Sequence, residues 1–144
     1  MEKKRVLFVC VHNSGRSQIA EAYFNHFAGE KASASSAGTQ PACEVNATVV
    51  QVMREAGLDI SHKVPKLLTL EMMGNANQVI TMGCGTEGIC PASIVPMEDW
   101  GIEDPEGKPL EKVIQIRDTI RNKVVALIKD IDMERSTRLK GGEK

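Results

Sequence analysis

Cys10, Arg16 and Ser17 stand within the single stretch Cys10-Val11-His12-Asn13-Ser14-Gly15-Arg16-Ser17. A thiol, a guanidinium and a hydroxyl at this spacing could hold an oxyanion and attack it. Arg16 can clamp two anion oxygens at once. A thiol becomes a nucleophile when a positive field favours the thiolate. Ser17 can hydrogen-bond that thiolate or a departing sulfur. The bland alternative is a buried structural cysteine before an ordinary turn.

The flanking elements decide whether that chemistry can be assembled. Val6-Leu7-Phe8-Val9 reads as a fully buried strand over 5–10, ending at the thiol. A helical pattern starts near Ser17, with Ile19, Ala20, Tyr23, Phe24 and Phe27 at helical spacing, and Gly29 stops it. A turn entering a helix N-terminus presents backbone N–H groups and the positive end of the dipole. When successive N–H groups point into one concavity they form a nest for a tetrahedral anion. Asn13 and Gly15 tolerate the partly left-handed backbone such a loop requires.

The Cys-(five residues)-Arg-Ser pattern at the end of a first strand resembles the anion loop of the low-molecular-weight protein tyrosine phosphatase superfamily. The fuller string from Val9 to Phe24, VCVHNSGRSQIAEAYF, is similar to its thioredoxin-coupled arsenate reductase branch. The resemblance implies an α/β three-layer sandwich, flavodoxin-like, around a four-stranded parallel sheet of order 2-1-3-4. It implies an oxyanion, arsenate or phosphate, bound by Val11, His12, Asn13, Ser14, Gly15, Arg16 and Ser17, with Cys10 as nucleophile.

The rest of the chain suits that architecture. Lys31–Ala37 reads as a second strand ending at Gly38, and Glu44–Ala56 as a helix with Val45, Val49, Val52 and Met53 on one face. A short helix is expected near Thr69–Met73, capped by Thr69. Gln78–Met82 reads as a third strand and Ser93-Ile94-Val95 as a brief fourth. Met97–Lys108 reads as a loop. Leu110 to about Ile131 is the longest helix, with Val113, Ile116 (or Ile114), Ile120, Val124, Leu127, Ile128 and Ile131 expected to pack on the sheet. The expected organisation is one catalytic domain over 1–132 and a charged, frayed tail over 133–144. Alternating strands and helices imply right-handed crossovers and a parallel sheet. Ligands of such sheets bind beyond the C-terminal strand ends. Cys10, Gly38 and Cys84 all follow strands, so they should gather on one rim.

Cys84 and Cys90 share a Gly-rich loop, flexible enough to bring two sulfurs together. Zinc would need two more ligands and commonly a tighter spacing. Two unreacted loop cysteines are the other plain alternative. The resemblance implies a redox relay: Cys10 attacks arsenate, Cys84 attacks Cys10, and Cys90 attacks Cys84. The final Cys84–Cys90 disulfide is then reduced by a thioredoxin-like partner. Bacterial arsenate reductases of this branch space those two cysteines slightly more widely. Cys43 has no counterpart in the pattern.

Asp104, followed by Pro105, matches the family's general acid, which protonates the leaving oxygen. Such an acid must carry its proton when it acts, which suits a neighbouring anion. The alternative is a solvated acidic loop, since Glu98, Asp99, Glu103, Glu106 and Glu111 surround it. Tyrosine phosphatases of the superfamily carry adjacent tyrosines just after this acid. Here the residues are Pro105-Glu106-Gly107-Lys108, so a small inorganic anion is favoured over an aryl group. A phosphatase acting on small phosphoesters is the second reading, and a non-enzymatic oxyanion-binding module the third. Some relatives hold potassium beside the anion loop. Asn13, Glu21 and Ser36 match that site, but Lys63 and Lys66 stand where an acid is expected. A lysine ammonium in the cation's place, or two solvated lysines, are both open.

Composition excludes other classes. The 144 residues are 42% hydrophobic and 26% charged with a net charge of −1, which points away from nucleic acid and anionic membrane surfaces. No apolar run approaches the roughly 20 residues of a membrane span. The basic Met1–Arg5 leads into an apolar run broken by His12, Asn13 and Arg16, so no signal peptide is expected. Four scattered cysteines suit a reducing compartment, and the expected location is the cytoplasm. No cofactor is implied.

Overall fold

The computed structural model of the chain describes residues 4–82 and 97–142. Four strands form one parallel sheet of order β2-β1-β3-β4: β1 Lys4–Cys10, β2 Ala32–Gly38, β3 Gln78–Thr81 and β4 Met97–Asp99. The helices are α1 Arg16–Ala28, α2 Ala47–Glu55, α3 Leu70–Asn75 and α4 Leu110–Gly142.

Side chains alternate across β1, as the two-residue period of a strand requires. Val6, Phe8 and Cys10 join a core with Ile19 and Phe24 of α1, Val49 and Met53 of α2, and Ile120 and Val124 of α4. Leu7 and Val9 face the other way, onto Met73 and Ala76 around α3. The layers are therefore unequal, and Cys10 lies on the face of the larger one. The α4 stripe is buried from Val113 to Ile131, but it packs mainly on α1 and α2 rather than directly on the sheet.

The central strands are covered on both faces, so their runs are continuously apolar. The edge strand β2 is shielded by a side chain. Asn25 Oδ1 accepts from Ala34 N at 2.8 Å, and its Nδ2 donates to Ala34 O at 3.1 Å. This amide takes up backbone groups that an open edge would offer to another strand.

Two expectations are corrected. Met97–Asp99, read as loop, is the edge strand β4. It pairs through Val79↔Met97, Ile80↔Glu98 and Thr81↔Asp99, and Glu98 and Asp99 are exposed, which hid any apolar pattern. The strand expected at 93–95 lies outside the described residues. Helix α4 runs to Gly142 instead of ending near Ile131, through the helix-favouring Glu134, Arg135, Arg138, Leu139 and Lys140. Phe27 is 41% exposed and stacks on Tyr23 with ring centroids 5.8 Å apart, outside the core.

Candidate active site

The loop after β1 is shaped by a neighbouring segment. Thr39 N donates to Cys10 O at 3.3 Å, Gln40 N to Val11 O at 2.8 Å, Ala42 N to His12 O at 3.0 Å and Asn46 N to Ser14 O at 2.9 Å. These bonds turn four loop carbonyls outward. In a trans peptide the N–H points opposite to the C=O. The N–H groups of Val11, His12, Asn13 and Gly15 are therefore turned the other way, into the loop. Asn13 shows the result, its N–H reaching Cys10 Sγ at 3.2 Å. Asn13 holds φ at 51°, a left-handed conformation that asparagine tolerates better than most residues.

Gly38, the register partner of Cys10, closes the loop from behind. A Cβ there would lie 2.5 Å from Val11 O and 2.9 Å from Asn13 N, so only glycine fits. α1 begins immediately after the loop, with Gly15 as N-cap and no side-chain cap. Its first-turn N–H groups, which lack intrahelical partners, are left for an anion.

The side-chain amide of Asn13 has a determined orientation. Lys66 N donates to Asn13 Oδ1 at 2.9 Å, which identifies that atom as the oxygen. Asn13 Nδ2 therefore donates to Ser17 Oγ at 2.7 Å. Ser17 Oγ in turn lies 2.8 Å from Cys10 Sγ, a hydrogen bond in which the hydroxyl donates whenever the sulfur is a thiolate. Cys10 is 3% exposed, and its sulfur is met by the Asn13 amide and the Ser17 hydroxyl.

Arg16 is 6% exposed. Its Nη1 donates to Met82 O at 3.2 Å and Ile102 O at 2.9 Å, carbonyls beyond β3 and β4. These bonds orient the guanidinium plane, and Nη2 lies 3.7 Å from Asp104 Oδ2. A small cavity, open to solvent, has Cys10, Ser14, Arg16, Asn46, Asp104 and Pro105 in its wall. Pro105 sits over the loop; its Cγ would be 3.1 Å from a Cβ on Gly15.

The acidic segment divides by partner. Glu98 accepts from Trp100 Nε1, and Asp99 from Thr81 Oγ1. Lys112, hydrogen-bonded to Glu103, holds that carboxyl below the usual carboxylate range, with Lys108 adding to the effect. Glu103 therefore stays ionised and is a poor proton donor. Asp104 is half exposed, accepts Glu106 N at 3.0 Å through Oδ1, and turns Oδ2 toward Arg16 at the cavity. No bulky aromatic ring lines the cavity among the described residues.

Behind the loop, Glu21 is buried at 3% exposure and accepts Ser36 Oγ at 2.7 Å and Lys63 Nζ at 2.8 Å. An ammonium thus sits directly on the buried carboxylate, and the residues here do not fit a potassium ion. Exchanging sodium for potassium at constant ionic strength is expected to leave turnover and melting temperature unchanged. Activation of more than about twofold by potassium would show that Lys63 leaves Glu21 to a metal. The Lys66 side chain is exposed; this residue acts through its backbone N–H.

This chain matches the model of the low molecular weight phosphotyrosine protein phosphatase family over residues 5–137. It belongs to that family. An arsenate reductase of Bacillus cereus is 33% identical over 124 residues, covering 85% of this chain and 92% of that protein. Among solved structures, a thioredoxin-dependent arsenate reductase of Corynebacterium glutamicum is 38% identical with a TM-score of 0.78. The match covers 92% of this chain and 63% of that one. An arginine phosphatase of Geobacillus stearothermophilus is 25% identical, with a TM-score of 0.84 and coverage of 93% and 96%.

Within this phosphatase-family scaffold, the tertiary structure brings Cys10, Arg16 and Asp104 to one cavity, with Ser17 buried behind Cys10. Val11, His12, Asn13, Ser14 and Gly15 form its loop, and His12 Nδ1 lies 3.0 Å from Gln40 O. Cys84 and Cys90 lie outside the described residues. Cys43 is exposed. Sequence reading missed Asn46, which lines the cavity while capping α2 through bonds from Thr48 N and Val49 N. An asparagine before an apolar helical run was the available signal. It also missed Gln18, whose Nε2 lies 3.1 Å from both Asn13 O and Asn13 Oδ1. No described helix is long and apolar enough to cross a membrane.

Proposed function

We propose that this enzyme reduces arsenate to arsenite through Cys10, Cys84 and Cys90, with a thioredoxin-like dithiol as electron donor. The observation that carries the anion chemistry is the Cys10 sulfur at the base of the N–H-lined loop, with Arg16 and Asp104 at its mouth. The arsenate reductases among its relatives support the choice of anion. The small cavity, which has no Phe, Tyr or Trp in its wall among the described residues, supports it as well.

In the proposed sequence, arsenate lies on the loop N–H groups and the free edge of Arg16. The Cys10 thiolate attacks arsenic, and an oxygen leaves with a proton from Asp104, giving a sulfur–arsenic bond. Cys84 thiolate then attacks Cys10 sulfur. A disulfide forms, the sulfur–arsenic bond breaks, and its electron pair stays on arsenic, which leaves as arsenite. Cys90 thiolate attacks Cys84 and releases Cys10 as thiolate. The Cys84–Cys90 disulfide is reopened by the external dithiol, which becomes a disulfide itself. The chain leaves β3 through Met82, whose N–H bonds Val9 O. Such a dithiol cycle suits a reducing, cytoplasmic setting, with residues 1–132 as the catalytic domain.

The second reading, hydrolysis of small phosphoesters through a Cys10 phosphocysteine, is supported by the family and by the arginine phosphatase neighbour. One assay separates the two. Arsenate, thioredoxin, thioredoxin reductase and a reduced nicotinamide are supplied, and nicotinamide oxidation is followed. Wild type is expected to turn over, while Cys84→Ser and Cys90→Ser fall to background. Turnover that survives either change sinks the relay. Rapid phosphoester hydrolysis without arsenate turnover selects the phosphatase.

A further inference from the structure

We infer that Gln18 is a positioning residue for the Cys10 thiolate, acting through Asn13. The inference rests on Cys10 as the nucleophile, whichever anion it attacks. Gln18 is 2% exposed and occupies the third position of α1. A glutamine there ordinarily turns its oxygen back to the N-cap amide. In this chain its Nε2 instead meets two oxygens of Asn13, the carbonyl and Oδ1, both at 3.1 Å.

Two acceptors on one side admit only the NH₂ end, so the amide orientation is determined. Its Oε1 is buried and has no hydrogen-bond partner among the described residues. The side chain is thus tied in through its donors alone, and those donors act on Asn13. Asn13 is the residue at φ 51°, the one whose N–H reaches Cys10 Sγ and whose Nδ2 polarises Ser17. Holding the Asn13 carbonyl supports the left-handed backbone that aims its N–H. Sharing Oδ1 with Lys66 N keeps Nδ2 on Ser17, whose Oγ lies 2.8 Å from the sulfur. Gln18 touches neither sulfur nor anion site; its influence passes through both groups that hydrogen-bond the sulfur.

Two variants divide this role from plain packing. Gln18→Met keeps the length and removes both donors. Because the buried Oε1 goes as well, its melting temperature is expected within about 3 °C of wild type. Gln18→Glu is nearly isosteric but turns a carboxylate toward two acceptor oxygens. The reading is the pH dependence of Cys10 alkylation by iodoacetamide, followed as the mass of the Cys10 peptide in the intact chain. The Cys10 pKa is expected to rise about one unit in Gln18→Met, and further in Gln18→Glu. In the arsenate assay near neutral pH, kcat should fall about tenfold in Gln18→Met with KM changed less than about twofold.

A Cys10 pKa unmoved in Gln18→Met overturns the inference, and a lowered melting temperature beside it would make Gln18 a packing residue. If Gln18→Glu does not fold, Gln18→Met carries the test alone. Alkylation needs no particular substrate. A wild type that hydrolyses phosphoesters but ignores arsenate would overturn the arsenate reading, while a shifted Cys10 pKa would still support the role of Gln18.

Discussion

Replacement of Cys10 by serine is expected to abolish turnover of both arsenate and phosphoesters, by at least about 10⁴-fold in kcat/KM. The loss follows from what surrounds the sulfur. The Asn13 amide donates to Sγ, and the Ser17 hydroxyl, 2.8 Å away, can donate to the anion once it forms. A thiol can reach that anion near neutral pH because its ordinary pKa is about 8.5. A serine hydroxyl in the same place stays protonated and has no base beside it. The N–H groups of the loop and the Arg16 side chain are untouched, so anion binding should persist. Phosphate should raise the melting temperature of Cys10→Ser as it does wild type, since a ligand that binds only the folded state stabilises it by about 2.7 kcal/mol at 100 times its dissociation constant. Residual turnover above about 1% would remove Cys10 from the nucleophile's role.

Arg16→Lys is expected to lower kcat/KM about 10²- to 10³-fold although it keeps the charge. One arm of the guanidinium is engaged by Met82 O and Ile102 O, and another faces Asp104 at the cavity. A planar fork can hold two carbonyls on one side and an anion on the other. A lysine ammonium cannot span both, and at 6% exposure there is little room to shift. The variant should also lose roughly 1–3 kcal/mol of stability, because two buried carbonyls lose a charged donor. Steady-state kinetics with both anions, alongside thermal unfolding, reads the two effects separately. Activity within about fivefold of wild type would mean that the fork geometry is dispensable and only the charge matters.

Much of the site could be read along the chain because its central part is contiguous. Eight successive residues carry the nucleophile, the cradle and the clamp, and the apolar run before them and the helical period after them place the loop between a strand and a helix. Asp104 stood out through its proline and its place in an acidic segment, but composition could not separate it from Glu103. That separation came from Lys112 and Lys108, which hold Glu103 as an anion and leave Asp104 facing the cavity. The edge strand β4 was not legible, because exposed Glu98 and Asp99 break any apolar alternation. Helix α4 was underestimated because the apolar stripe ends at Ile131 while helix-favouring residues continue past it.

The sequence by itself determined which groups are candidates for chemistry here: a thiol, a guanidinium and a hydroxyl at a spacing that a strand–loop–helix can hold, with continuous apolar runs alternating with period-3.6 helices that imply a parallel sheet. Only the tertiary structure decided how those groups are aimed. The carbonyls of the anion loop are turned outward by backbone N–H groups of 39–46, and the orientation of the Asn13 amide beside Cys10 and Ser17 is set by the backbone N–H of Lys66. Backbone amides are present in every residue and leave no mark in a sequence, so their alignment exists only once distant segments are packed side by side. The same holds for Gly38, whose missing Cβ matters only because Val11 O lies 2.5 Å from where it would be.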